Sequence, residues 1–267
     1  MHIVVCVKQV PDPDAPFSQF KVDELAKKVI PASGLKLVMS PFDEQAVEAA
    51  LRIRESAGAT KITALGVGSD SARSVLKHAL AMGADEAVLV SDDALVDANG
   101  EVTGLALARA ITQLEPVDLV LTGRQAADTD AGIVGCAVAE RLGLPLVSFA
   151  KKIEVADRVL RVERVLADGT ETVEGPLPAV VTVSNELGAA RAPSLRETMR
   201  AARKPLAVRS AADIGVTADE VREKAMRSVR ARLFVPVKDL RCELMPEGDV
   251  SVQASALAHR LREARLI

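Results

Sequence analysis

The sequence predicts an α/β fold: a doubly wound, mostly parallel sheet with an antiparallel addition and an extended C-terminal arm. Three observations carry that prediction. Short β-branched runs alternate with amphipathic stretches from residue 1 to about 148, the order in which strands and crossover helices feed a parallel sheet. After Pro145 the pattern changes to successive extended runs joined by a turn, and beyond Ala211 sustained periodicity is lost. Hydrophobic residues are 49% of 267, enough for one large domain with appendages, yet the core must be built from Ala, Val, Leu and Ile, because Trp and Tyr are absent and only five Phe occur.

His2–Val7 is the first core strand, an apolar run without a basic leader or a small-residue cleavage site. The first crossover is long because Phe17–Val38 intervenes. KVDELAKKVIPASGLKLVMS reads as a pair of short strands or an irregular excursion, either covering a ligand at the sheet's carboxyl edge or decorating the surface. Phe42, Ala46, Ala49, Ala50, Ile53 and Ala57 then fall on one helical face. Ser40 is placed to N-cap that helix, with Pro41 at its first position and Asp43 three residues after the cap, as in a capping box. Lys61–Leu65 is the next strand. In LGVGSDSARS, Gly66 and Gly68 end it and Ser69 or Asp70 opens a helix with Ala72, Val75, Leu76, Ala79 and Leu80 on one face. Glu86–Val90, Val117–Thr122 and Leu146–Ser148 are further strands, and Gly104–Leu114 and Ala131–Leu142 further helices.

KKIEVADRVLRVERVLADGTETVEG reads as antiparallel strands with a turn at Asp168-Gly169, and Ala179–Ser184 as an apolar strand returning to the main sheet. From Arg191 to Arg209 six basic residues face one acidic residue, Glu197. A final helix is expected near Ala254–Ala264. The expected organisation is an α/β domain over 1–210 and an arm over 211–267, which either packs on another subunit or forms a mobile or locally packed terminus.

A net charge of -3, a pI near 5.8 and the lack of aromatic platforms argue against nucleic acid as a partner. No apolar run approaches the ~18 residues that would span a bilayer. Cys6, Cys136 and Cys242 are odd in number and far apart, which indicates neither a disulfide framework nor a zinc or iron–sulfur site and fits a reducing cytoplasm or matrix. His2, His78 and His259 form no recognisable arrangement with a nucleophile, and no catalytic residue is assigned. No Gly-Lys-Ser/Thr phosphate loop occurs, and VKQVPDPD stands where an ATP-pyrophosphatase would need its Ser-Gly-Gly-x-Asp loop.

VDLVLTGRQAADTDAGIVG, Val117–Gly135, is the strongest functional signal. A buried-type strand runs into a glycine and polar loop and then a helix, which places backbone N–H groups at the carboxyl edge of a parallel sheet, where such folds hold nucleotides. Gly123 permits close backbone approach, Arg124 offers a charge-assisted bond, and Asp130 is placed to N-cap a helix beginning at Ala131. Asp128 and Asp130 would repel a phosphate, which leaves ribose contact, capping, solvent exposure or a dicarboxylate metal site as their roles. A strand-to-helix turn without a ligand is the alternative for the whole loop.

Taken in order, VCVKQVPD at 5–12, SPFDEQAVEAAL at 40–51, ALAMGAD at 79–85, VDLVLTGRQAADTD at 117–130, LPAVVTV at 177–183 and LRETMRAARKP at 195–205 resemble the β subunit of electron transfer flavoproteins over essentially the whole chain. The resemblance implies an adenine nucleotide α-hydrolase-like or flavodoxin-like fold and a heterodimer whose α subunit holds most of the FAD. This chain would supply a wall to that site and bind an adenine nucleotide itself. The matching positions are Cys6, Ser40, Pro41, Phe42, Asp43, Val67 and the run Gly123, Arg124, Gln125, Ala126, Ala127, Asp128, Thr129, Asp130, Ala131, Gly132, Ile133 and Val134. It further implies docking of dehydrogenases, most often acyl-CoA dehydrogenases, through a loop at about 184–205. Leu195 would stand at its tip, with Arg191 and Arg196 beside it; otherwise Leu195 is an ordinary core leucine. The electrons would pass on to a membrane quinone reductase or a similar acceptor.

Members that bind AMP continue the Gly123 loop with an Asn and a Thr-Gly pair, whereas electron-bifurcating members with a second FAD show Gly-Asp-Thr-Ala-Gln-Val-Gly. This chain keeps the Val134-Gly135 ending and the early VKQVPD of the second type, but has Thr129 for the glycine and Gly132-Ile133 for Ala-Gln. The nucleotide is therefore AMP or the ADP portion of a second FAD. A stand-alone adenine-nucleotide-binding, stress-type module of the same architecture is the rival from another class. It would leave the basic segment and the arm without a role.

Overall fold

In the computed structural model, which describes residues 1–58, 60–114, 116–236, 242, 244, 245 and 248–267, the chain order is β1 His2–Cys6, β2 Gln9–Pro11, β3 Phe20–Asp23, β4 Lys28–Pro31, β5 Leu37–Met39, α1 Pro41–Ala57, β6 Lys61–Val67, α2 Arg73–Met82, β7 Glu86–Val90, α3 Gly100–Ile111, β8 Leu119–Gly123 and α4 Val134–Leu142. Then come β9 Leu146–Ala156, β10 Val159–Leu166, β11 Gly169–Pro176, β12 Ala179–Val183, α5 Leu195–Ala201, β13 Leu206–Arg209, α6 Ala218–Ala225 and α7 Val250–Glu263. Among these residues nine strands join one sheet in the order β11-β10-β9-β12-β8-β1-β6-β7-β13. It is parallel from β13 to the first part of β9, and β9, β10 and β11 add the predicted antiparallel ribbon.

Side chains alternate across the sheet, and each face finds its own helices. Ile3, Val5, Val7, Leu119, Leu121, Val181 and Val183 pack against α1 and α2, while Val4, Cys6, Val120 and Val180 pack against α3 and α4. The period of two in the strands and the apolar faces of the helices together make a three-layer sandwich. Strand order reverses between β1, which steps outward to β6 and β7, and β8, which steps outward to β12 and β9. That reversal opens a crevice at the carboxyl ends of β1 and β8.

The long first crossover folds into a β3–β4 hairpin and a β2–β5 pair. Other expectations move by a few residues for local reasons. Helix α3 begins at Gly100, ahead of Gly104, because the Asn99 side chain accepts the Val102 N–H at 3.0 Å and caps it. The hairpin turn falls on Ala167-Asp168, since Gly169 already pairs with Leu166. On α1 the buried apolar set is Ala46, Val47, Ala49, Ala50, Leu51 and Ile53, with Asp43 and Glu48 buried beside them; Ala57 is exposed at the last turn and Phe42 is half-buried. Helix α6 was not foreseen. A Thr217–Glu220 capping box opens it, yet no residue in it is buried, so it lacks the apolar periodicity that marks a helix in sequence. Helix α7 begins at Val250, four residues before the expected start, where Asp249 caps it.

Glycine inside α3 has a packing cause. A Cβ at Gly104 would lie 2.5 Å from the Ala137 Cβ and 3.4 Å from its carbonyl carbon, so α3 and α4 touch nearly backbone to backbone. Gly104→Leu is expected to destabilise the chain by about 1–3 kcal/mol through overpacking, read as a lower urea midpoint. An unchanged midpoint would show that the helices are not so closely packed.

Candidate functional site

The sequence-predicted nucleotide residues converge on the crevice at the strand-order reversal. Cys6 ends β1, Val67 ends β6, Gly123 ends β8, Ser40 to Asp43 form the start of α1, and residues 124–133 form the loop leading to α4 at Val134. Helix α1 enters here because the β2–β5 pair returns the chain to the end of β1, where the Ser40 N–H donates to the Lys8 carbonyl at 3.0 Å.

Asp43 joins the two sides of the crevice. Its carboxylate accepts the Lys8 N–H at 2.8 Å, just beyond β1, and the Gly123 N–H at 3.1 Å, at the end of β8. The expected capping box is therefore corrected: Ser40 is the N-cap residue but makes no side-chain cap bond, and Asp43 reaches across the sheet edge rather than back to Ser40. Burial pushes the Asp43 carboxyl up to about 7 against the opposing pull of the two N–H groups. Gly123 is required by this contact, since a Cβ there would lie 2.5 Å from Asp43 Oδ1 and 2.7 Å from the Phe42 Cβ.

The loop is held by its own side chains. Asp128 is clamped by the Lys8 ammonium at 2.7 Å, and Asp130, in the left-handed region at φ 49°, accepts from Gln125 Nε2 at 2.8 Å. The Thr129 and Asp130 N–H groups both donate to the Ala126 carbonyl, while Ala127 and Ala131 serve as spacers in the chain between these contacts. Asp130 consequently does not cap α4, which starts three residues later than expected, after Ile133 and without a side-chain cap. The two aspartates turn to different partners, so nothing draws them together as a metal pair. The turn at Gly132, φ 64°, leads into Ile133, whose side chain fills the space left by Gly100. At the start of α4, Gly135 lets the helix press onto Thr122 and Thr182, where a Cβ would come within 2.8 Å of both side chains.

The Arg124 guanidinium lies over two aromatic rings, 5.2 Å from the centre of Phe42 and 5.9 Å from that of Phe149, with Nη1 3.5 Å from Ser184 Oγ. The Ser184 hydroxyl donates to Glu186. Two polar atoms of the predicted site are buried with no hydrogen-bond partner among the described residues: Ser40 Oγ and Arg124 Nε. Buried polar groups are normally paired, so these atoms fit a site completed by a polar ligand. Cys6 is unsuited to nucleophilic chemistry, because burial, with Asp43 adding to it, pushes its thiol well above the usual range.

The other expected group lies apart from the crevice, on the α1–α2 face. Leu195 opens α5 and is 78% exposed, which removes the core-leucine alternative, and Met199 beside it is also exposed. Arg196 is exposed. Arg191 is exposed as well, but its guanidinium is engaged by the buried Glu48 and the exposed Glu55. Lys8, Phe149, Ser184 and Glu186 were not singled out from the sequence as site residues. Phe149 carried one usable signal, being one of only five aromatic residues.

Residues 28–214 match the family model described as the electron transfer flavoprotein domain. Over its full length the chain is 34% identical to the full-length Acetobacterium woodii protein described as the caffeyl-CoA reductase–Etf complex subunit CarD. It is 36% identical to the electron transfer flavoprotein subunit beta of Megasphaera elsdenii over 88% of both chains. To the same-named subunit of Mycobacterium tuberculosis it is 34% identical over 93% of this chain and 94% of that one.

Proposed function

This chain belongs to the electron transfer flavoprotein β-subunit family, and from that premise we propose that it works as one half of a heterodimeric electron carrier and binds an adenine nucleotide at the β1/β8 crevice. The observation that carries the reading is the pair of unpartnered buried polar atoms, Ser40 Oγ and Arg124 Nε, at a strand-order reversal that holds no activated nucleophile. Such a site suits the binding of a polar ligand. The residues fit the group: the first turn of α1, Val67 and the 123–134 loop would hold AMP or the ADP portion of FAD, and Arg124 would offset anionic charge. FAD, held mainly by the α subunit, would supply the redox chemistry.

The residues of this chain would bind and orient. Asp43 keeps the two strand ends in register, and Lys8 neutralises Asp128, which would otherwise face a phosphate. Val250, Val252, Leu257, Leu266 and Ile267 leave apolar surface on and after α7, which suits packing on the α subunit. Among the described residues no helix is long and apolar enough to cross a membrane. A cytoplasmic or matrix carrier taking electrons from dehydrogenases, acyl-CoA dehydrogenases first among them, and passing them to a quinone reductase or similar acceptor accords with this. A second reading, an NADH-linked or bifurcating complex with two FAD, is favoured by VKQVPD and the Val134-Gly135 ending.

The deciding experiment is to co-purify the chain with its α subunit, release the bound nucleotides and count them. One FAD and one AMP are expected for the single-flavin carrier, and two FAD for the second reading. A chain that takes no partner and no flavin would overturn both in favour of a stand-alone nucleotide-binding module. With such a heterodimer, Leu195→Ala should lower dehydrogenase-dependent flavin reduction about tenfold or more, the size of one hot-spot side chain, with nucleotide content unchanged. Loss of nucleotide instead would place Leu195 in the cofactor site.

A further inference from the structure

The segment that carries Leu195 lies against α2 through α5 but buries little of its own surface. From Ala192 to Arg203, Ala201 alone is buried, so apolar packing does little to fix where Leu195 and Met199 stand. Polar anchors are found at both ends of the segment. At its start, Glu48 on α1 is almost fully buried, 4% exposed, and its carboxylate accepts from Arg191 Nε at 2.7 Å, Arg191 Nη2 at 3.1 Å, the Arg191 N–H at 3.2 Å and Arg52 Nε at 2.8 Å. Arg191 Nη1 also donates to Glu55 at 2.6 Å, and Arg52 Nη1 to the Leu187 carbonyl at 3.0 Å. At its end, Lys204 Nζ donates to the Leu80 and Ala84 carbonyls, at 3.0 and 2.6 Å, at the C-terminus of α2.

We propose that Glu48 is a positioning residue for docking. Through Arg191 and Arg52 it clasps the entrance of the 192–203 segment to α1, and this clasp, with Lys204 at the exit, sets where Leu195 is presented to a partner with an apolar pocket and an acidic rim. The proposal rests on the docking reading of Leu195. Arg196, Arg200 and Arg203 are exposed around that leucine, whereas Glu197, the acidic residue among them, is tied into the Ser194 capping box, which is why an acidic rim suits the partner. Arg191 then acts as an anchor and not as a contact residue. A buried carboxylate held by several charged donors suits this task because its geometry is directional, whereas apolar packing alone would let the short α5 slide.

The test uses the α/β heterodimer and the dehydrogenase that reduces the wild-type complex. Glu48→Gln is expected to raise the KM for that dehydrogenase about tenfold while kcat and the FAD and nucleotide counts stay at wild-type values. It should also speed tryptic cleavage at Arg196, Arg200 and Arg203. If that variant fails to assemble, Glu55→Gln removes an exposed partner of the same guanidinium and should shift both readouts in the same direction by less. Wild-type KM and wild-type cleavage would overturn the clasp. Faster cleavage with wild-type KM, in a complex where Leu195→Ala does raise KM, would overturn its role in presentation. Should Leu195→Ala leave KM unchanged, the docking reading itself fails, and faster cleavage of Glu48→Gln would still uphold the anchor.

Discussion

Gly123→Val is expected to cost the folded chain about 3–5 kcal/mol, the sum of overpacking at a tight contact and loss of a hydrogen bond to a buried carboxylate. The Cβ would stand 2.5 Å from Asp43 Oδ1, 2.7 Å from the Phe42 Cβ and 3.0 Å from the Phe42 carbonyl carbon. The last is backbone, so no rotamer change relieves it, and the start of α1 must move away from the end of β8. That movement breaks the Gly123 N–H bond to Asp43 and widens the crevice at its floor. Urea unfolding gives the cost, and Gly169→Ala is the control, since a Cβ there meets nothing within 4 Å. A Gly123→Val midpoint equal to that of the control would mean that α1 does not rest on Gly123. Nucleotide should be lost from the same variant, because the first turn of α1 is half of the proposed site. A destabilised chain that keeps its full nucleotide complement would remove the loop from that site.

The second large effect is a dependence of stability on pH that comes from Asp43. An unfolded aspartate titrates near 4, whereas burial lifts this one to about 7 in the folded chain. Between those values the folded state binds a proton that the unfolded state does not. Stability from this group is therefore fully present below about pH 4, is lost as pH rises, and levels off once pH passes about 7. At roughly 1.4 kcal/mol per unit the total is about 4 kcal/mol. Glu48, Glu101 and Asp118 are held below the ordinary carboxylate range, so their stabilising contributions are lost only as pH falls below this window. Asp43→Asn should begin less stable at pH 5, because its amide group opposes one of the two N–H donors, yet show a much flatter decline to pH 8. Urea midpoints at four pH values decide it. Parallel slopes for the two proteins would rule out Asp43 as the titrating group.

Both effects arise from contacts that local sequence could not show. Ser40, Pro41 and Asp43 do have the spacing of a capping box, and Asp130 does stand just ahead of a helix, so a reading confined to neighbours assigns capping to each. In the fold Asp43 finds Gly123, eighty positions away, and Asp130 finds Gln125 within the loop. Leu195, by contrast, reads as an ambiguous leucine in a basic run, and only its exposure separates a surface anchor from a core residue.

That the Ser40 and Gly123 segments share one site was implied only by the family resemblance; by itself the sequence determined the layered α/β architecture, the returning strand β12 and the antiparallel ribbon. Those follow from periodicity and from which strand ends precede helices, and both are written in consecutive residues. The tertiary structure alone decided which polar side chain meets which. It tied Arg191 to Glu48, brought Phe42 and Phe149 to Arg124, and left Ser40 Oγ and Arg124 Nε without a hydrogen-bond partner among the described residues. The physical reason is that periodicity reports which face of an element is buried, whereas the partner of a buried polar group is chosen by strand order and helix placement, which bring together residues far apart in the chain.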